Sequence, residues 1–193
     1  RRLHPHPVAT LTCARSLAAA ALAVCLAGAP AGAEQRTSTA EDDIKAAFLF
    51  NFTKFVEWPA TDRSRPFRIC TVAEPAFGTA VDRTITGETA GGRPIEHVTP
   101  PTPAAARTCH ILFVGRRETD RLERWLAAVR GAPMLLVGES RAAWDRGAHI
   151  NFVVDENRVK FDVNPDAASR AGLTVSSKLL RVARTVAHRG DSR

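Results

Sequence analysis

Apolar and polar positions alternate most regularly between Ile150 and Val163. Ile150, Phe152 and Val154 share one side of an extended segment, Asp155, Glu156, Asn157 and Arg158 turn the chain, and Val159, Phe161 and Val163 lead back. Alternation on both arms of a polar turn predicts a β-hairpin. Asn164 then stands where a helix cap belongs, Pro165 suits a first helical position, and Gly172 supplies a left-handed stop. Ser176 reads as a second cap, with Leu179, Leu180, Val182, Ala183 and Val186 at helical spacing behind it.

Further upstream, Asp42 or Asp43 can cap a helix that Pro59 stops after Trp58. At 100° per residue Ile44, Phe48, Phe52 and Phe55 fall on one face, and Thr53, Lys54 and Glu57 lie opposite. Phe50 projects among the polar residues. Another element of the fold can cover it; alternatively it anchors, with Lys54 and Glu57 beside it, a second subunit or a partner. Strands are predicted at 67–72, 95–99, 109–114 and 134–137, and helices at 78–85, 119–129 and 140–144. Glycines at 87, 91 and 92 and prolines at 100, 101 and 103 mark the loops around the second strand. Short apolar strands separated by helices predict a three-layer α/β sandwich with a mostly parallel sheet and the antiparallel C-terminal hairpin at its edge.

Two blocks of this pattern resemble a known family. The stretch INFVVDENRVKFDVNPDAASRAGLTVSSKLLRVA from Ile150, and IKAAFLFNFTKFVEWP from Ile44, are similar to the closing and opening blocks of the YfiR/HmsC-like proteins; FRICTV and CHILFVG fall where that family has strands. The resemblance covers residues 41–187. It implies a periplasmic regulator, without catalytic residues or a cofactor, that restrains an inner-membrane diguanylate cyclase and so lowers cyclic di-GMP and biofilm formation. It also implies a homodimer.

The N-terminal residues change the charge picture. Arg1, Arg2 and Arg15 precede or flank a 12-residue apolar run from Leu17 to Gly28, and Ala31-Gly32-Ala33 fits a small-x-small cleavage site, so residues 1–33 read as a signal peptide for export to the periplasm. That run is shorter than the roughly 20 residues a membrane span needs. Val24 before Cys25 is a poor match to a lipoprotein site. Residues 34–40 read as a mobile polar leader, 41–187 as one domain and 188–193 as a charged tail. Processing removes three arginines and no acid, so the net charge falls from +7 to +4. The remaining basic residues form no aromatic-flanked stripe, which leaves a nucleic-acid role without support; they read first as solvated surface charges, with an acidic partner or lipid headgroups as the alternative for a mildly basic face.

Cys70 and Cys109 are the cysteines left after processing. An exported protein with two usually pairs them, and both fall on predicted strands that a parallel sheet can set side by side; two buried thiols are the alternative. Relatives in the resembling family use disulfides, some of them a second one near the hairpin where this chain has no cysteine, so redox control here would rest on one pair. Neither GxGxxG nor GxxxxGK[ST] follows a strand, and the third strand ends in Val114-Gly115 without an acid to accept a phosphoryl group. His97, His110, His149 and His188 show no HxH or HExxH spacing, so no metal site is assigned. Ser176 and Ser177 precede Lys178 too closely for a Ser-x-x-Lys nucleophile. The expected function is therefore binding rather than catalysis. A small-molecule receptor using the strand-end crevice is the second reading and an unrecognised hydrolase the third.

Overall fold

Helix α1 spans Ala31–Phe55 in a computed structural model that describes residues 31–59 and 64–187. Most of the expected signal peptide and the charged tail lie outside the described residues. The leader expected at 34–40 is helical and continuous with α1. No Pro interrupts this polar stretch, so a helix held in place by its packed part from residue 45 onward propagates toward the N-terminus at little cost. Neither Asp42 nor Asp43 is thus a cap. The helix also ends before Trp58, because Val56–Glu57 (β1) leave it to pair antiparallel with Thr174–Val175 (β9).

The main chain then alternates as the periodicities predict. The elements are β2 (Phe67–Val72), α2 (Pro75–Ile85), β3 (Thr89–Ala90), β4 (Arg93–Val98), β5 (Ile111–Val114), α3 (Leu122–Val129), β6 (Leu135–Gly138) and α4 (Arg141–Asp145). After them come β7 (Ile150–Asp155), β8 (Arg158–Val163), α5 (Pro165–Arg170), β9, α6 (Ser177–Val182) and β10 (Thr185–Val186). Helix α2 begins three residues earlier than expected because Pro75 fits its first turn. The three later caps read from sequence are made: Ser140 accepts the Ala143 N–H, Asn164 the Ala167 N–H and Ser176 the Lys178 N–H. The hairpin turn is tighter than four residues. Glu156 and Asn157 alone make it, both with positive φ (49° and 59°), the geometry that matches strand twist in two-residue loops.

Eight strands form one sheet in the order β10-β8-β7-β6-β5-β2-β4-β3. The pairs from β4 through β2, β5 and β6 to β7 are parallel, and β7–β8 is the antiparallel hairpin near one end. The last predicted helix stops at Val182 and Val186 instead enters β10, which pairs parallel to β8 beyond the hairpin. Phe67, Ile69, Ile111, Phe113, Leu135, Val137, Ile150, Phe152 and Phe161 point into a core with α1, α2, α5 and α6. Cys70, Leu112, Val114 and Leu136 face a smaller core closed by α3, α4 and the 3-10 turn Ala104–Thr108. The result is the expected three-layer α/β sandwich.

Within α1 the apolar arc is wider than a single face. Phe52 is fully buried and meets Phe161 edge-on at 5.4 Å and Phe152 at 6.0 Å. Lys45, Ala46, Leu49 and Phe50 are buried as well, because α1 packs on α2 in addition to the sheet. Ile44, placed on the core face by periodicity, is 46% exposed.

Candidate functional site

In an open parallel sheet the natural binding place is where strand order reverses, beyond the C-terminal strand ends. Here that reversal lies between β2 and β5, at Ala73 and Gly115, with Gly138-Glu139 of β6 alongside. The place is filled by the protein itself. Lys45, 4% exposed, reaches from α1 to Glu139 Oε2 at 2.5 Å and to Glu41 Oε1 at 2.5 Å. The other oxygen of Glu139 accepts the Arg116 backbone N–H at 2.7 Å, so a donor well placed for a phosphate already has a carboxylate. Close packing completes the closure. A Cβ on Gly115 would stand 2.9 Å from Ala73 Cβ, and one on Gly138 would stand 2.4 Å from Ala143 Cβ. An ion-paired lysine thus fastens α1 to the sheet at the reversal point, and beside it an open cleft remains, lined by Arg116, Glu139, Arg141, Trp144, Asp162 and Arg184.

Electrostatics at this cluster favour the charged lysine. Burial alone would lower its pKa, but the carboxylates of Glu139 and Glu41 outweigh that and move it up. Asp42 at the margin is shifted up, chiefly by burial, with Lys45 opposing and the carboxylates of Glu139, Glu41 and Asp43 adding to the rise. Sequence reading missed this site because its members are 94 residues apart.

Cys70 and Cys109 form a disulfide with a Cα separation of 5.9 Å. Cys70 lies within β2, but Cys109 precedes β5 by two residues rather than lying on it, and the strand partner of Cys70 is Leu112. The bond ties β2 to the loop entering β5 inside the smaller core, where both residues are buried.

The three side chains expected to share a contact surface separate. Phe50, 9% exposed, belongs to the main core, so of its two readings the covered one holds and the anchor for a second subunit or partner is withdrawn: α2 lies on the side of α1 that periodicity left open. Lys54 is exposed and lays its ammonium 4.0 Å from the centre of the Phe50 ring. Glu57 is exposed on β1.

Three further arrangements had no sequence signal. Thr71 Oγ1 meets His97 Nε2 at 2.7 Å, and His97 Nδ1 meets Asp82 Oδ1 at 2.8 Å. This is a hydroxyl–imidazole–carboxylate chain, but the hydroxyl belongs to a residue 3% exposed near the C-terminal end of β2 and lies under α2 at Gly78. Its role is to clamp β2, β4 and α2. The second arrangement involves His110 and His149, each immediately before a strand and each accepting a backbone N–H through Nδ1, from Arg68 at 3.0 Å and Leu136 at 3.1 Å. Burial holds both rings at a pKa of about 4, helped by Arg93 and Arg68 at His110 and by Arg170 at His149. Third, Arg184 forms a two-pronged pair with Asp162, at 2.8 and 2.5 Å, which pins β10 to β8. Among the described residues no group of three or more His, Cys, Asp or Glu side chains is arranged to hold a metal, and no helix is long and apolar enough to cross a membrane.

Residues 42–184 match the family model described as YfiR/HmsC-like. The chain thus belongs to the YfiR/HmsC-like family, as both end blocks led us to expect. Among solved structures, a conserved domain protein from Vibrio cholerae O1 biovar eltor superposes with a TM-score of 0.54 at 13% identity, covering 76% of this chain and 60% of that one. An ABC domain from Streptococcus pneumonia, solved with L-Trp, superposes with a TM-score of 0.49 at 13% identity, covering 63% of this chain and 55% of the other. This chain therefore spans 60% or less of these two proteins' own lengths. At such identity the first likeness speaks to the α/β fold alone.

Proposed function

We propose that this protein is a periplasmic regulator that binds the periplasmic part of an inner-membrane diguanylate cyclase and holds it in a less active arrangement, lowering cyclic di-GMP and biofilm formation. The observation that carries this reading is membership of the YfiR/HmsC-like family across residues 42–184. The geometry agrees with action by occupancy. Lys45 is spent on tying α1 to Glu139, and the Thr71–His97–Asp82 chain has its hydroxyl buried under a helix, so both clusters serve the fold rather than a reaction. A regulator of this kind needs only a difference in affinity between two states of its partner, and a tenfold shift takes about 1.4 kcal/mol. With Phe50 in the core, the contact surface assigned to the end of α1 consists of Lys54 and Glu57. A homodimer is part of this proposal.

Titration of the purified protein against the cyclase periplasmic domain by calorimetry tests the reading. Saturable binding is expected, weakened at least about tenfold in K54E/E57K, a loss of about 1.4 kcal/mol. No binding of the unaltered protein would refute the reading, and unchanged binding of the double variant would move the contact elsewhere.

A further inference from the structure

The helices on the two sides of the sheet carry different charge. On one side, α3, α4 and the 3-10 turns Ala104–Thr108 and Arg116–Arg121, with Arg130 and Arg146 at the helix ends, carry eight basic and four acidic residues. All eight are arginine and all are exposed. On the other side, α1 from residue 40 onward with α2, α5 and α6 holds six basic and five acidic residues. A modest net charge on the whole chain conceals an excess of four positive charges on one layer against one on the other.

This arginine layer also offers a protein partner few apolar anchors, chiefly the half-buried Leu126 and Trp144. Leu122, Trp125 and Val129 of α3 turn inward to the smaller core. The exposed large apolar side chains among the described residues, Ile44, Val154 and Val182, lie on α1, β7 and α6, away from it. Protein interfaces centre on buried aromatic or aliphatic anchors, and a face with few of them gains little from meeting another protein. A headgroup layer asks for something else, namely several cations spread over a broad face, preferably guanidinium groups that can grip phosphate oxygens in pairs. Arg117, Arg141 and Arg146 have exposed carboxylate partners and Arg121 a half-buried one, at 2.5 to 3.8 Å, pairs whose exposed cations water and salt reach readily.

We propose that the α3–α4 face docks on anionic phospholipid headgroups, laying the protein flat on a membrane surface with α1 and β1 turned away from the lipid. The assignment stands on the charge distribution and does not need the cyclase reading, since its test contains no partner protein.

Sedimentation with vesicles tests it, using the chain from residue 31, which carries the whole described fold. Vesicles of equal parts phosphatidylglycerol and phosphatidylcholine are expected to carry the protein down at 50 mM salt and release it at 500 mM, while pure phosphatidylcholine leaves it in solution. R117Q/R124Q/R130Q should reduce binding by about tenfold or more, and K54Q/K178Q/R181Q, with the same change in net charge on the opposite layer, by about threefold at most. Unchanged melting curves for both variants would establish that the fold is intact. Absence of binding to the anionic vesicles, equal loss in the two variants, or binding to phosphatidylcholine alone would each overturn the proposal. So would retention by immobilised polyglutamate without retention by vesicles, which would assign the face to an acidic protein.

Discussion

Replacing Lys45 by Met removes the cation that fastens α1 over the strand ends while keeping most of the side-chain volume. Glu139 and Glu41, 13% and 28% exposed, are then left facing each other with their shared counter-ion gone. Breaking a fully buried ion pair costs about 3–5 kcal/mol. Both carboxylates here touch water, and Glu139 keeps its bond from the Arg116 N–H, so we expect a smaller loss of about 2–4 kcal/mol. For a domain of this size that lowers Tm by roughly 5–15 °C. Urea denaturation followed by far-ultraviolet circular dichroism measures it, with Glu139→Gln as the partner variant because the amide oxygen still accepts from Arg116. The double variant K45M/E139Q should be more stable than additivity predicts by about 1 kcal/mol or more, since the second change relieves the charge stranded by the first. A Lys45→Met loss below about 0.5 kcal/mol, or strict additivity in the cycle, would refute the view that this ion cluster holds α1.

Three further outcomes are expected. C70A/C109A opens a loop of 39 residues and should cost up to about 4 kcal/mol by the chain-entropy relation, read as a lower urea midpoint that reductant reproduces in the unaltered protein. Stability should fall with acid: His110 and His149 are held near pKa 4 in the fold and return to about 6.5 when unfolded, so the unfolded chain takes up protons first. Their contribution is complete above about pH 6.5, declines as pH drops toward 4, and reaches at most about 3 kcal/mol for His149, with less for the better hydrated His110. His149→Asn, whose Oδ1 can replace Nδ1 as acceptor for the Leu136 N–H, should flatten that slope between pH 6.5 and 4.5; an unchanged slope would show that the ring is not the titrating group. Gly138→Ala should destabilise by about 1–3 kcal/mol in the same denaturation assay, because its Cβ would collide with Ala143 Cβ on the short helix α4, and a neutral result would mean that α4 yields freely.

What could be read from sequence was local. Asn164, Ser140 and Ser176 cap helices through bonds that span two or three residues, and the hairpin follows from alternation within fourteen positions. What could not be read depends on elements that meet across the fold. Periodicity left Phe50 open between cover by another element and a partner contact because nothing in α1 reports that α2 will lie on it, and it counted Ile44 as core for the same reason. Val186 looked helical beside Val182 until the Asp162–Arg184 pair drew the chain onto β8. Cys109 was rightly paired yet wrongly placed on a strand, since a ladder ends where its partner does and β5 pairs with β2 only from Ile111. Lys45 and Glu139 individually resemble ordinary surface charges; only the crossing of α1 over the strand ends brings them together.

Cyclic di-GMP measured by mass spectrometry in a strain lacking this protein, in its parent, and in the complemented strain tests the regulatory account most directly. A rise in the deletion strain, reversed by the unaltered protein and less so by K54E/E57K, is the predicted result. An unchanged nucleotide level in the deletion strain would contradict it.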